Sequence, residues 1–330
     1  MPENKQVINV NAKVDKAIKN FNNLETKISK FSDVSKEVAK KAGIAFAGLS
    51  AAVIGVTKVA GDFEQGMVSV KTLLNDQSFQ NVGKNLSTGF AEMKKGVLDV
   101  VDKIPISLYK ATKSMFDLVS AGIPASDAVK ALETSGKLAV AGLTDVSVAT
   151  DGLTSALNAY KLDASEAETV ASKFFAAQVQ GKTTIEELAS GFGKVGNAAA
   201  TLKIPLEEVL ASVSQMTLSG VKTSEAYTSL NAVLTSILKP TEQAKEEARR
   251  LGVEFSASAV KSEGLGRFLQ KLTQNTDFTE ESVSKLFGST EAMKSIFALT
   301  GENAENFSPL VLYLKGFIRH FQLKIENISG

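Results

Sequence analysis

The chain has 330 residues, 44% hydrophobic and 22% charged, enough for two domains or one long assembly. Its 37 basic and 36 acidic side chains leave a formal charge of +1, so no whole-chain field draws it to nucleic acid or acidic surfaces. Cysteine is absent, which excludes disulfides, thiolate catalysis and cysteine-ligated metals. The start, Met1-Pro2-Glu3-Asn4-Lys5-Gln6, lacks the charged-then-apolar plan of a signal peptide and predicts synthesis in a cytoplasm without export.

The first forty residues carry two interleaved heptad series. Val7, Val14, Phe21 and Ile28 recur at sevens, and Val10, Ala17, Leu24, Phe31 and Val38 follow three positions on. Apolar a and d positions sustained over about four heptads predict a coiled coil, and hence a homo-oligomer. The phenylalanines suit a trimer or higher better than a tight dimer. The alternative is one long amphipathic helix lying on the chain's own core. Up to Lys41 there are nine lysines and five acids, but no aromatic residues interleave the lysines for base stacking, so no sequence-specific nucleic-acid site is read here.

Ala42 to Thr57 is uncharged and apolar on every face: Ile44, Phe46, Leu49, Val53, Ile54 and Val56 are its large residues. As a helix it would span about 24 Å, short of a bilayer's hydrocarbon core of about 30 Å. Two readings stand, a helix buried in an assembly and a segment that enters a membrane.

From Ser126 to Pro240, helix-opening residues recur every 18 to 22 positions, at Ser126, Thr144, Asp163, Thr183, Pro205 and Thr223. Thr183 to Glu186, Thr184 to Glu187 and Ser165 to Glu168 have capping-box spacing, and Gly142, Gly181, Gly220 and Pro240 stand where the runs should stop. This predicts six short helices in series. Their apolar residues keep a helical period, as in Leu206, Val209, Leu210, Val213 and Met216, so each must bury one stripe against a neighbour.

Beyond Pro240 a charged helix runs from Thr241 to Leu251. Val253 to Val260 alternates with period two over its first residues and is the only strand candidate. Helices at Leu265 to Thr273, Thr279 to Phe287 and Thr290 to Leu299 follow, then an apolar stretch from Pro309. The fold class predicted is all-α: an N-terminal coiled coil, then an elongated array of short antiparallel helices, with at most one short strand near 253–260.

Candidate active sites have bland explanations. Gly191-Phe192-Gly193-Lys194-Val195-Gly196 fits G-x-G-x-x-G, but it follows a capped helix and not a strand, so its glycines read as close helix packing or a loosened helix. Gly181-Lys182-Thr183 resembles the end of a P-loop, yet Ala176 stands where the first glycine is required. The pairs Glu186/Glu187, Glu207/Glu208 and Glu246/Glu247 point about 100° apart on a helix and complement first-turn dipoles. The single histidine, His320, has no nucleophile arranged around it. No enzyme, cofactor or metal is expected, and single changes at Lys182, Gly191 or His320 should be tolerated.

The run Ala60-Gly61-Asp62-Phe63-Glu64-Gln65-Gly66-Met67-Val68-Ser69-Val70 resembles the opening of the conserved core of phage tail tape measure proteins, with Ala60, Phe63, Glu64, Met67 and Val70 on the pattern. Leu118 to Ile123, Leu138 to Leu157 around Asp145 and Asp151, Thr183 to Leu188, Val195 to Ala199, Pro205 to Glu208, Met216 to Val221 and Leu286 to Ser289 resemble its later elements in order. The resemblance covers roughly residues 58 to 300. It implies a non-enzymatic scaffold in the tail lumen, made in the host cytoplasm, that sets tail length and leaves ahead of DNA. The implied partners are copies of itself, tail tube and tail assembly chaperone proteins, and the host membrane at ejection through 42–57. The alternative is an α-helical pore-forming protein using that segment. The expected divisions are a coiled coil at 1–41, an apolar segment at 42–60, a core at 61–240, a C-terminal part of the core at 241–308 and an apolar tail at 309–330. Family members run on for hundreds of residues, so a fragment of a longer protein or a prophage copy is expected.

Overall fold

A computed structural model describes residues 47–275, 277–300 and 304–317. The heptad seam from Val7 to Val38, Ile44, Phe46 and His320 lie outside them. The described residues form sixteen α-helices and two short 3-10 turns, and no strands. They divide into two units between Ser69 and Val70, inside the first helix.

That helix, α1 (Ala47–Lys71), carries Leu49, Val53, Ile54 and Val56 and runs on without a break into Lys58, Asp62 and Glu64. No described helix is long and apolar enough to cross a membrane. The division expected at 60/61 falls inside α1. Phe63, Met67 and Val70 are buried at i, i+4 and i+7, Ala60 is half-buried and Glu64 exposed, so the family-like motif is one helical stripe.

The unit from Val70 on opens with a 3-10 turn, Gln80–Val82, and then α2 (Leu86–Lys103), α3 (Leu108–Ser120), α4 (Ala128–Ala141) and α5 (Val146–Tyr160). A second 3-10 turn, Ala164–Glu166, leads into α6 (Ala167–Gln180), α7 (Ile185–Phe192), α8 (Gly196–Thr201), α9 (Leu206–Leu218) and α10 (Thr223–Leu238). The series ends with α11 (Glu242–Leu251), α12 (Ala257–Glu263), α13 (Leu265–Thr273), α14 (Glu280–Phe287), α15 (Thr290–Leu299) and α16 (Ala304–Gly316).

Local chemistry sets these boundaries. Asp145, Thr184, Thr241, Ser256, Thr279 and Ser289 each accept a hydrogen bond from an otherwise unpaired first-turn N–H. Asp145 and Thr184 do so one residue later than Thr144 and Thr183, the expected caps. Thr223 is the first residue of α10 and not its cap. Seven helices, not six, fill Ser126 to Pro240, because the run after Thr184 breaks at Gly193 into α7 and α8. The strand candidate forms no strand: 253–256 are irregular, and once the Ser256 hydroxyl accepts from the Ala259 N–H, Ala257–Glu263 winds into α12. Two alternating residues before a cap were too short a pattern to specify a strand.

Six helices close through paired i→i+5 and i→i+3 bonds around a left-handed residue. The residues are Gly122, Leu143, Lys161, Lys203, Gly220 and Gly252. After α4 the left-handed position falls on Leu143 and not on Gly142. A non-glycine residue there costs about 1–2 kcal/mol of backbone strain. Lys203→Gly is therefore expected to raise stability by about 0.5–1 kcal/mol, after allowing for glycine's greater unfolded-state freedom, while Gly220→Ala lowers it by a similar amount. Thermal unfolding of the two variants checks this, and a less stable Lys203→Gly would contradict it.

The core is built in two layers. Helices α3, α5, α7 with α8, and α10 pack in succession in one layer, and α2, α4, α6 and α9 in the other. Helix α9 is the hub, packed by α6, α10, α15 and α16. The apolar stretch from Pro309 begins inside α16, a helix that starts at Ala304 and runs on through Pro309. Leu310, Leu314 and Phe317 are buried, and Phe317 lies 6.1 Å from Phe175 of α6. The described part of this stretch, as far as Phe317, docks on the core.

Candidate functional site

Helix α9 was expected to bury one stripe; it buries every face from Leu206 to Thr217 except at half-buried Glu208. Its buried hydroxyls are bonded, while Gln215 Oε1 is buried without a partner. Ser212 Oγ donates to the Glu208 carbonyl at 2.7 Å, Ser214 Oγ to the Ala177 carbonyl at 3.0 Å, and Thr217 Oγ1 to the Ser214 carbonyl at 2.7 Å. The Lys182 N–H donates to Thr217 Oγ1, which fastens the α6–α7 turn to α9.

The three acid pairs split as the 100° rule requires. Glu207 accepts from Lys173 Nζ of α6 at 2.8 Å, both side chains being largely buried. Glu208 accepts from the Gly266 N–H at 3.0 Å and so supplies the cap that Gly264 cannot give to α13. Burial pushes the Glu208 carboxyl above its ordinary range, against the pull of those N–H groups. Glu187 closes the capping box of Thr184, and Thr223 Oγ1 of α10 lies 3.2 Å from its Oε2. Glu186 is exposed, as is Glu246.

Glu247 is buried and held by Arg250, with Nη2 to Oε1 at 2.6 Å and Nε to Oε2 at 3.1 Å; the guanidinium also reaches the Asp277 carbonyl. The Arg250 bond holds the Glu247 carboxyl at about 2, with the Ser282 hydroxyl adding to the effect. A carboxyl depressed in the folded state contributes stability above its unfolded pKa of about 4.3 and loses it as pH falls through about 2. Glu247→Gln is expected to cost roughly 1.5–3 kcal/mol at pH 7, with the deficit shrinking as acid removes the wild-type advantage. Chemical denaturation at pH 7, 4 and 2.5 reads it; a deficit that does not change with pH would contradict it.

The nucleotide-like motif is packing. A Cβ on Gly191 would overlap the ring of Tyr227 in α10, and one on Gly196 would meet the Phe192 ring and Ala159 Cβ. Gly193, on the turn between α7 and α8, has open space around it. Tyr227 is fully buried and donates to the Leu188 carbonyl at 2.9 Å. Gly181 ends α6 where a Cβ would lie 3.0 Å from Ser214, which fixes the close approach of α6 and α9.

Two shallow clefts mark the surface. One, about 190 Å³, is lined by Lys194, Ser224, Glu225, Thr228, Ser229, Glu291 and Lys294, with Lys294 and Glu225 paired at 2.8 Å. The other, about 300 Å³, lies among Ser155, Asn158, Ala159, Phe192, Gly193, Gly196 and Asn197. No three acidic or histidine side chains group as a metal would need among the described residues. What the arrangement does is mechanical: buried ion pairs, cross-helix caps and glycine contacts lock helices from distant parts of the chain.

The described residues thus define a packed, all-α helical array. Residues 90–297 match the phage-related minor tail protein family. The chain belongs to that family. It is 28% identical over 296 residues to a protein described as a probable tape measure protein of Clostridium phage phiCD119, covering 86% of this chain and 30% of the relative. It is 29% identical over 208 residues to the tape measure protein of Pneumococcus phage Dp-1, covering 63% of this chain and 17% of that relative. The chain thus spans less than a third of the length of either relative. No solved structure matches it.

The span matched to the family, 90–297, runs from α2 into α15 and contains the hub helix, the acid-pair ties and the packed glycines. The heptad seam precedes it.

Proposed function

We propose that this chain acts as the N-proximal folded core of a tail tape measure scaffold, a non-enzymatic protein in the tail lumen around which tube subunits assemble and which fixes tail length. The observation that carries this reading is the long alignment with two proteins named for tape measure function, across a packed helical core. Under it, copies of the chain associate through the heptads before residue 42, tail tube and assembly chaperone proteins are its partners, and the protein leaves ahead of DNA at ejection.

The test is genetic and visual. Removing the coding sequence from a producing phage is expected to abolish tails or release their length control, seen by electron microscopy. Lys182→Ala, at a surface position whose backbone alone is used, should leave tails unchanged. Normal tails of fixed length without the gene would refute the reading. A lytic or transport activity lost in a single point variant that still folds would replace it with an enzymatic one.

A further inference from the structure

We infer that α3 to α10 are a tandem array of one two-helix unit with a 39-residue period, and that the protein can lose or gain whole units while keeping its fold. Helices α4, α6 and α9 start at Ala128, Ala167 and Leu206, in steps of 39. Their partners α5 and α7 start at Val146 and Ile185, again 39 apart, behind side-chain caps Asp145 and Thr184. The turns agree: Gly142, Gly181 and Gly220 follow α4, α6 and α9 in steps of 39. The Gly142 and Gly181 N–H groups donate to equivalent carbonyls, Leu138 at 2.9 Å and Ala177 at 2.8 Å.

Helix lengths alone could generate such a beat, but the tertiary contacts repeat with it. Gly152 of α5 admits Ala189 of α7, and Gly191 of α7, 39 residues on, admits Tyr227 of α10. Each helix also packs on its counterpart one unit later: α3 on α5, α5 on α7, α7 and α8 on α10, and α2 on α4, α4 on α6, α6 on α9. The left-handed residues Gly122 and Lys161 are 39 apart. The next, Lys203, comes three later, where the glycine break splits α7 from α8 and adds a turn. At the far end α14 and α15 pack on α10 and depart from the period, as a terminal cap should. When each unit touches only its neighbours, stability is a sum of unit and interface terms, and unit number is free to vary. On the scaffold reading proposed above, the unit would also be the natural increment for changing this part of the chain.

Three variants of the full chain test the inference. The first deletes residues 128–166, joining Asp127 to Ala167. The second inserts a further copy of residues 128–166 after Glu166. The third deletes Thr183 to Lys203, which removes α7 and α8 and leaves α6 and α9 consecutive. The expected result, by circular dichroism and thermal unfolding of the purified proteins, is wild-type helicity per residue and one cooperative transition for an in-phase variant. The out-of-phase deletion should lose that transition. Loss of cooperative unfolding in both in-phase variants, or its retention in all three, would overturn the inference. Tails are not read in this experiment, so its failure leaves the scaffold reading standing, and failure of the scaffold reading leaves the repeat standing.

Discussion

Gly191→Ala is expected to destabilise the core by about 1–3 kcal/mol, although the substitution is conservative and its motif serves no ligand. The added methyl would overlap the Tyr227 ring, which cannot withdraw: it is fully buried, and its hydroxyl is tied to the Leu188 carbonyl at 2.9 Å. Helix propensity favours alanine over glycine by close to 1 kcal/mol, so the measured loss is what remains after that gain. Gly193→Ala supplies the control, with open space around it and a right-handed backbone at φ −55°. It should be neutral or slightly stabilising. Combining Gly191→Ala with Tyr227→Leu should cost less than the two single changes together, since the smaller side chain relieves the clash. Denaturant midpoints read all four proteins. Equal stability of Gly191→Ala and wild type would show that α7 and α10 can separate, and would restore the expectation that this position tolerates change.

That expectation illustrates how far the chain could be read. Local signals were legible: the charged helix ending at Leu251, the termini of α13 and α15, and the stop at Gly220 all follow from side-chain oxygens, glycine and the apolar period. Errors of one residue at Thr144 and Thr183 arose because two adjacent residues could each cap, and only the packed helix selects between them. The tertiary partners were not legible. Nothing in the pair Glu207/Glu208 indicates that one carboxylate meets Lys173 and its neighbour caps a helix 58 residues away. Of the glycines of 191–196, Gly191 and Gly196 are packed and Gly193 marks the break between α7 and α8, yet without the Tyr227 ring the cost of filling Gly191 could not be judged. The 39-residue unit was half visible in the spacing of helix openings; pairing those openings required knowing which helices lie in the same layer.

Leu210→Ala should have the larger effect, about 2–5 kcal/mol, because α9 has no face on which the loss can be absorbed. A helix with one buried stripe can shift toward a cavity. Helix α9 is buried all round, with α6, α10, α15 and α16 against it, and Ser214 and Thr217 bonded to the flanking α6 and its turn. Movement toward the space left by Leu210 would stretch those bonds, so the cavity persists and its full cost is expressed. Leu218, the last residue of the same helix, is 57% exposed, and Leu218→Ala should change stability by no more than about 0.5 kcal/mol. Since domains of this kind are stable by only about 5–15 kcal/mol, Leu210→Ala should also lower the temperature at which proteases cleave the protein, and Leu218→Ala should not. If both variants unfold together, α9 can shift to fill the space left by Leu210, and its all-round burial does not hold it in place.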